Sequence, residues 1–414
     1  MVCVIAVLYI FAPFVLKIQA PGWDSERLYY GVKVFRVALP SILFLGLAAL
    51  SSGILNSVKI FGIPTLGGIV FNATIVTLTL IYASEWGIVV VPIALVIGAA
   101  GQFLIQYIWV EKKGLGYRFK PVFTHPAMKE LYMLILPVII GSGINYLAPI
   151  VNNMVGSQLS KGYLSALQYS FKVSQFPIGI FALAVSSVVF PSLAEHVSKK
   201  DTKSVQENVQ WAIKFVLLIM LPATLGLIAL STPVVRLLFE SGDFTVAETL
   251  ITAPAVQLYC IALVPWSITA ILVKILYSCK DTVTPVYIAI ATVTVLIIAD
   301  VSLIGPLGHY GLALGSAISG VFNTVVLWII TKKRYPDYLI VAPLKKTALL
   351  CSIGSLLMIA VIFFSQKVLV NFINLSSKFG QLEEVFILVA LGCLVYGIFI
   401  YLFNKQDVKE VMGR

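Results

Sequence analysis

The chain has 414 residues, 59% of them hydrophobic and only 11% charged, with a mean hydropathy of +0.99. No soluble domain of this length carries so little charge, so the composition is that of a polytopic, all-α membrane protein. The formal net charge of +11 then reflects loop residues that fix topology, and it is not the footprint of a nucleic-acid-binding protein.

The segment from Met1 to Leu16 is apolar but shorter than a comfortable span. No basic residue precedes Lys17, and Ile18-Gln19-Ala20 makes a poor cleavage site, so a signal peptide is not indicated. It reads as the end of a helix that begins upstream. Eleven further spans are expected at about 37–56, 64–83, 87–110, 131–155, 165–193, 212–231, 250–274, 285–304, 308–331, 346–366 and 384–403, giving about 12 with the partial one. The connections alternate in charge. One side holds Lys59, the 112–129 cluster, the 199–214 cluster, Lys274, Lys280, the 332–346 cluster and the tail, together 20 basic residues. The other side holds eight: Lys17, Arg27, Lys33, Arg36, Lys161, Arg236, Lys367 and Lys378. The positive-inside rule makes the richer side and the C-terminus cytoplasmic, which leaves the loop 232–249, with Glu240, Asp243 and Glu248, outside.

An internal repeat is visible. Pro13 and Gly22 are echoed by Pro233 and Gly242, and LNSVKIFGIP (55–64) aligns with LYSCKDTVTP (276–285). Trp86-Gly87 is read against Tyr310-Gly311, and basic clusters at 112–113 and 332–334 close both copies. The offset is near 220 residues, and six spans separate matching helices. Parallel repeats of this kind are a transporter signature. The same arithmetic expects two more spans before Met1, for about fourteen in all, with 346–366 and 384–403 as an appendage outside the repeat.

The span 165–193 carries a charge. At helical spacing Ser165, Gln168, Lys172, Gln175, Gly179, Ala182 and Ser186 form one polar and small stripe, with Leu, Val, Ile and Phe elsewhere. An ammonium at the centre of a membrane helix costs about 2.5–3.5 kcal/mol, so it marks a function by default. Two readings stand: a stripe facing a water-filled cavity, or a lysine near the helix start that snorkels to the headgroups. The preceding helix has a second stripe, Ser142, Asn145, Pro149, Asn152 and Gly156. It either lines the same cavity or makes ordinary interhelical hydrogen bonds. Asp300 lies about four residues from the end of its span. It is read as an interfacial carboxylate within reach of water, or as a cation or proton site with Ser316 beside it. Arg36 and Lys33 precede a span and are placed in the headgroup region. Gly311 and Gly315 suggest close helix packing.

Cys3, Cys260, Cys279, Cys351 and Cys393 have no paired spacing and read as packing residues. His125, His196 and His309 form no metal motif, and the chain has no phosphate-binding glycine loop or H-E-x-x-H. Without a clustered acid, base or metal set, transport is favoured over chemistry.

The stretches RVALPSILFLGLAALSSGILNS (36–57), QYSFKVSQFPIGIFALAVSSVVFPSLAE (168–195), RLLFESGDFT (236–245) and KDTVTPVYIAIA (280–291) resemble the MurJ/MviN family of lipid II flippases, within the multidrug/oligosaccharidyl-lipid/polysaccharide exporter superfamily. The resemblance implies fourteen helices, two six-helix lobes around a cationic cavity and two extra C-terminal helices with a groove for a polyprenyl tail. On this chain that gives a partial N-terminal lobe (1–120), a C-terminal lobe (121–335), and a helix pair with a cytoplasmic tail (336–414). Lys172 takes the place of a cavity arginine, keeping the charge but losing the bidentate fork. Gln175 replaces an acidic residue. Gln168, Tyr169, Asn145 and Asn152 complete the expected substrate-binding set. The family's sodium ligands map to Asn152, Leu296, Asp300 and Ser316, and Leu296 departs from the pattern because it has no oxygen to offer. The implied function is movement of lipid II, the undecaprenyl-diphosphate-linked muropeptide, across a bacterial inner membrane by alternating access, driven by sodium or by membrane potential. The chain is expected to be no enzyme, to act as a monomer among membrane lipids, and to bind no nucleic acid. The alternatives are export of another lipid-linked oligosaccharide or a drug, and a membrane-embedded glycosyltransferase using Glu240, Asp243 and Glu248.

Overall fold

A segment crossing hydrocarbon must satisfy every backbone N–H and C=O internally, and a helix does so within one segment. The computed structural model describes residues 1–116, 143, 147–160, 162–340 and 342–412, and the regular structure among them is entirely helical. Among these residues eight stretches are long and apolar enough to cross a bilayer, or nine if the first two helices form one bent span. One of the eight, Gly62–Lys112, contains the two spans read from sequence at 64–83 and 87–110, divided at Gly87. Most of the expected span 131–155 lies outside the described residues. Large side chains left exposed, such as Leu80, Phe364, Phe372 and Phe386, are what a lipid-facing surface requires.

The chain divides into two compact units, Met1–Pro137 and Val138–Arg414. In the first, α1 (Val2–Ile10) and α2 (Ala12–Gln19) meet at Phe11 with a 72° bend. Then come α3 (Ser25–Ala38), α4 (Pro40–Ser57), α5 (Gly62–Trp86) and α6 (Val90–Lys112). Asp24 starts α3 by accepting the Arg27 N–H at 2.8 Å, the usual service of an acidic N-cap. The pair α5–α6 packs as a hairpin, with α4 against α6. A hydrogen bond from the Ser52 hydroxyl to Gln106 Oε1 (3.0 Å) crosses that last interface.

The second unit holds α7 (147–156), α8 (Tyr163–Pro177), a π turn (Ile178–Ala182), α9 (Leu183–Ser198), α10 (Thr202–Ala229), α11 (Ser231–Phe239), α12 (Val246–Cys260), α13 (Leu263–Ser278), α14 (Val283–Leu307), α15 (His309–Arg334), α16 (Ala342–Leu369), α17 (Lys378–Phe403) and α18 (Lys405–Met412). Its core, built from Ile213, Met220, Leu263, Leu272, Leu276 and their neighbours, lies where α9, α10 and α13 meet. The helix pair α16–α17 packs on α10.

The repeat is a matter of element lengths as well as residues. The stretches Ser25–Ser57 and Val246–Ser278 each have 33 residues, and α5 and α14 each have 25, all at an offset of 221. Both copies of the first stretch are interrupted near the same place, at Leu39 in one and one to two residues further on, at Ile261–Ala262, in the other. The turn that follows is also duplicated. Lys59 and Lys280 both have φ of 62°. The N–H of the next residue, Ile60 or Asp281, reaches back to Leu55 or Leu276 at 2.9 Å in each, the closure of a Schellman cap. The glycines correct one sequence alignment. Gly87 (φ 57°, ψ −144°) is matched by Gly308 (φ 56°, ψ −135°), not by Gly311. The left-handed backbone that ends α5 and α14 is what the shared glycine serves, so its position follows the helix end rather than the neighbouring aromatic residue. Gly311 and Gly315 instead let α15 approach α14: a Cβ on either would collide with Leu303 or Asp300.

Proline placement explains one bond to the appended pair. Pro222 inside α10 has no N–H to return to the Leu218 carbonyl. The Tyr396 hydroxyl of α17 donates to that carbonyl at 2.8 Å. Tyr396→Phe is expected to cost about 1–2 kcal/mol, the penalty of a buried acceptor left unpaired, read as a lowered thermal midpoint of the purified protein.

Polar anchors secure the same region at both ends. At one end Arg236 of α11 pairs with the buried Glu384 of α17 at 3.4 Å, and the Lys378 ammonium donates to the Arg236 and Leu237 carbonyls at 3.1 Å each. At the other, α18 is held by the buried Lys214, which pairs with Asp407 at 2.9 Å and Glu410 at 2.6 Å. Thr347 of α16 also bonds Asp407, and the Trp211 indole donates to the Val411 carbonyl at 3.3 Å.

Candidate functional site

Helix α8 is placed by small hydroxyls on its buried side. The Ser170 hydroxyl lies 2.8 Å from the Thr252 carbonyl of α12, and Leu167, Val173 and Ser174 are buried beside it. That leaves Ser165, Gln168 and Lys172 exposed on the second unit, with Tyr169 and Gln175 half-buried. The polar stripe is therefore real over α8. The π turn inserts extra backbone at 178–182 and shifts the register, so Ala182 ends up buried at 1% exposure rather than continuing the exposed line.

Tyr169 stacks its ring near Phe239 (4.7 Å between centroids) and Phe244 (5.8 Å). Phe239 ends α11 and Phe244 lies in the loop 240–245, which is itself tied to α12. Thr249 donates to Glu240 at 2.6 Å, and Thr245 with Glu248 forms a capping box. Two of the three acidic residues considered for a transferase are thus occupied in shaping this loop.

Beside Lys172 opens a groove of about 830 Å³. Phe176, Phe181, Pro222, Leu227, Met358 and Val389 stand among its walls, contributed by α8, the π turn, α10, α16 and α17. Lys172 is the one charged residue among its described lining residues. An elongated apolar ligand with an anionic end matches that division of surface.

Asn152 is not part of this set. Its Nδ2 donates to Ser316 Oγ at 3.2 Å, which joins α7 to α15, while its Oδ1 has no partner among the described residues. Asp300 of α14 stands against Gly315 of the same neighbourhood. The interfacial reading of Asp300 is corrected: its residue is 0% exposed, and neither carboxylate oxygen has a hydrogen-bond partner among the described residues. Close approach of α14 and α15 at the glycines covers it. Tyr259 of α12, 3% exposed, interacts with both Ser316 and Asp300. Sequence reasoning missed Tyr259, since nothing marks it out from other aromatics in an apolar run. Asn152, Ser316 and Asp300 carry hard oxygen donors of the kind small cations take, and a lone carboxylate in hydrocarbon demands a counter-charge or a proton. Leu296, buried at 2%, adds no oxygen to the set. Asn145 lies outside the described residues.

A model of the family described as lipid II flippase MurJ matches residues 1–382. The chain belongs to the MurJ family. Its similarity to the probable lipid II flippase MurJ of Rickettsia prowazekii (strain Madrid E) is 29% identity over 341 residues, 81% of this chain and 66% of that protein, a little under two thirds of the relative's length. Among solved structures, a lipid II flippase MurJ in an inward closed conformation superposes with a TM-score of 0.82 at 27% identity, covering 98% of this chain and 81% of the other. An inward-facing multidrug resistance MATE transporter of the MOP superfamily shares the fold, with a TM-score of 0.70 at 14% identity over 81% of this chain and 78% of its own. Membership of the MurJ family, the helical membrane fold and a multi-pass location follow from these matches.

Proposed function

We propose that this MurJ-family chain carries lipid II from the cytoplasmic to the outer leaflet of a bacterial inner membrane, as a transporter and without chemistry on its substrate. The observation that carries the reading is the apolar groove with a single ammonium among its described lining residues, in a chain matched by the MurJ model over 1–382. The polyprenyl tail lies along α10, α16 and α17, and Lys172 meets the diphosphate, with Gln168 and Gln175 of the same stripe facing the sugars. The two units are the rocking lobes, 336–414 is the tail-binding appendage, and the C-terminus is cytoplasmic. Asp300, Asn152, Ser316 and Tyr259 would hold a sodium ion if coupling is ionic. A diphosphate of charge about −2 leaving an inside-negative cell gains about 4–5 kcal/mol per 100 mV, so membrane potential supplies an alternative drive.

The test is to deplete the chromosomal protein in its own bacterium, with any second flippase deleted, and to expose intact cells to an enzyme that cleaves lipid II. Cleavage should collapse on depletion and return when this protein is supplied. Unchanged cleavage would overturn the lipid II assignment in favour of another lipid-linked saccharide.

A further inference from the structure

The bend between α1 and α2 has an internal control elsewhere in the chain. Phe11 at the break has φ −85° and ψ 7°, and Leu230, between α10 and α11, has φ −96° and ψ 9°. Both breaks are framed identically by backbone bonds: Phe11 N–H to Val7 and Val15 N–H to Phe11, against Leu230 N–H to Gly226 and Val234 N–H to Leu230. This register makes Tyr9 the counterpart of Ile228 and sets Pro13 against Thr232, one residue short of Pro233, with which the sequence alone pairs it. In each unit a side chain from the same repeat position, at the offset of 221, reaches that counterpart carbonyl. In the first unit Arg36 of α3 donates its Nε–H to the Tyr9 carbonyl at 3.1 Å and lies over the Tyr9 ring at 4.7 Å. In the second, Gln257 of α12 donates to the Ile228 carbonyl at 3.3 Å and to Ser231 Oγ at 2.9 Å.

The chemistry differs where the need differs. A helical carbonyl expects the N–H four residues on. Pro13 has none to give Tyr9, whereas Thr232, as a non-proline, has an N–H. A guanidinium, with a charge-assisted bond and a ring contact, stands where the backbone donor is missing, and a neutral amide stands where it is present.

We propose that Arg36 is a positioning residue that sets the bend between α1 and α2 by supplying the donor Pro13 withholds, with Gln257 in the matching office at the α10–α11 break. Arg36 touches no substrate in this scheme; it holds the lobe geometry that transport uses, a consequence that rests on the transport reading above.

The test imports the second unit's combination into the first. Full-length protein in liposomes, with Cys279→Ser and Cys393→Ser, carries spin labels at Cys3 on α1 and at Tyr30→Cys on α3. Distance distributions are compared for the parent, Arg36→Gln, and Pro13→Thr with Arg36→Gln. The parent should give one narrow distance, Arg36→Gln a broadened one, and the double variant a narrow one again. Lipid transport by the same samples should fall at least fivefold in Arg36→Gln at unchanged half-saturating lipid, and recover in the double variant. A distribution unmoved by Arg36→Gln, or a double variant as broad as the single, overturns the proposal. So does a rise in half-saturating lipid at unchanged maximal rate, which would make Arg36 a substrate ligand. If the parent moves no lipid II, the functional assignment fails while the distances still judge the bend.

Discussion

Lys172→Gln should lower the rate of lipid-linked diphosphate transport at least tenfold in reconstituted vesicles, and Lys172→Arg should keep most of it. A hydrogen bond to a charged group is worth about 1.5–3 kcal/mol, and Lys172 is the one cation on the described groove wall. Arginine restores the charge and adds a fork suited to two phosphate oxygens, so it should not fall below lysine by much. The side chain is exposed and its removal opens no cavity, so the thermal midpoint should stay within about one degree or two, as surface changes do. Equal rates for Lys172→Gln and the parent would remove Lys172 from the substrate path.

Lys214→Met should release the C-terminal helix. Lys214 is 6% exposed and serves Asp407 and Glu410 together, so its loss strands Asp407 near the Thr347 hydroxyl without a counter-charge. Removing one partner of a buried pair costs about 3–5 kcal/mol; Glu410, at 41% side-chain exposure, can turn to water, which favours the low end. Limited proteolysis should then cut near 404–412 far faster than in the parent. Acid should do the same reversibly. Burial by itself would raise the Asp407 carboxyl, but hydrogen bonds from Thr347 and Lys214 and the Lys214 charge outweigh it and hold it below the ordinary aspartate value. A depressed carboxyl contributes stability that is present above its unfolded value and lost as pH falls through the folded one. The clasp should therefore hold at neutral pH and open only below about pH 4, near the unfolded value of aspartate. Protection that persists in Lys214→Met would show that apolar packing of α18 suffices.

Composition and hydropathy reveal the helical membrane class because hydrocarbon permits little else. The repeat is legible for a related reason: its turns need particular residues, and Pro, Gly and the terminal lysines recur at fixed spacing. The polar stripe is legible through α8 as far as Gly179, and it fails at Ala182 because a π turn cannot be read from a 3.6-residue pattern. Asp300 is misread for want of the third dimension: four residues from a span end suggests water, but the adjacent glycines bring α15 over it. The partner of Arg36 is hidden for the same reason, since a basic residue at a span's edge gives no sign that a proline 23 positions earlier has left a carbonyl for it. Lys214, Glu384 and Tyr259 find their roles through partners brought together only by folding.

The constancy of the 221-residue offset has a genetic side. The copies keep identical stretch lengths, 33 residues (Ser25–Ser57 and Val246–Ser278) and then 25 (Gly62–Trp86 and Val283–Leu307), with the same turn between. One added residue within a helix would rotate everything beyond it by about 100° and advance it by about 1.5 Å. That would carry a lipid-facing row into the interior and an interior row into lipid. Substitutions can therefore accumulate freely between the halves, as Arg36 and Gln257 have done, while insertions and deletions within these helices are barred. The two halves have drifted apart in spelling and stayed locked in metre.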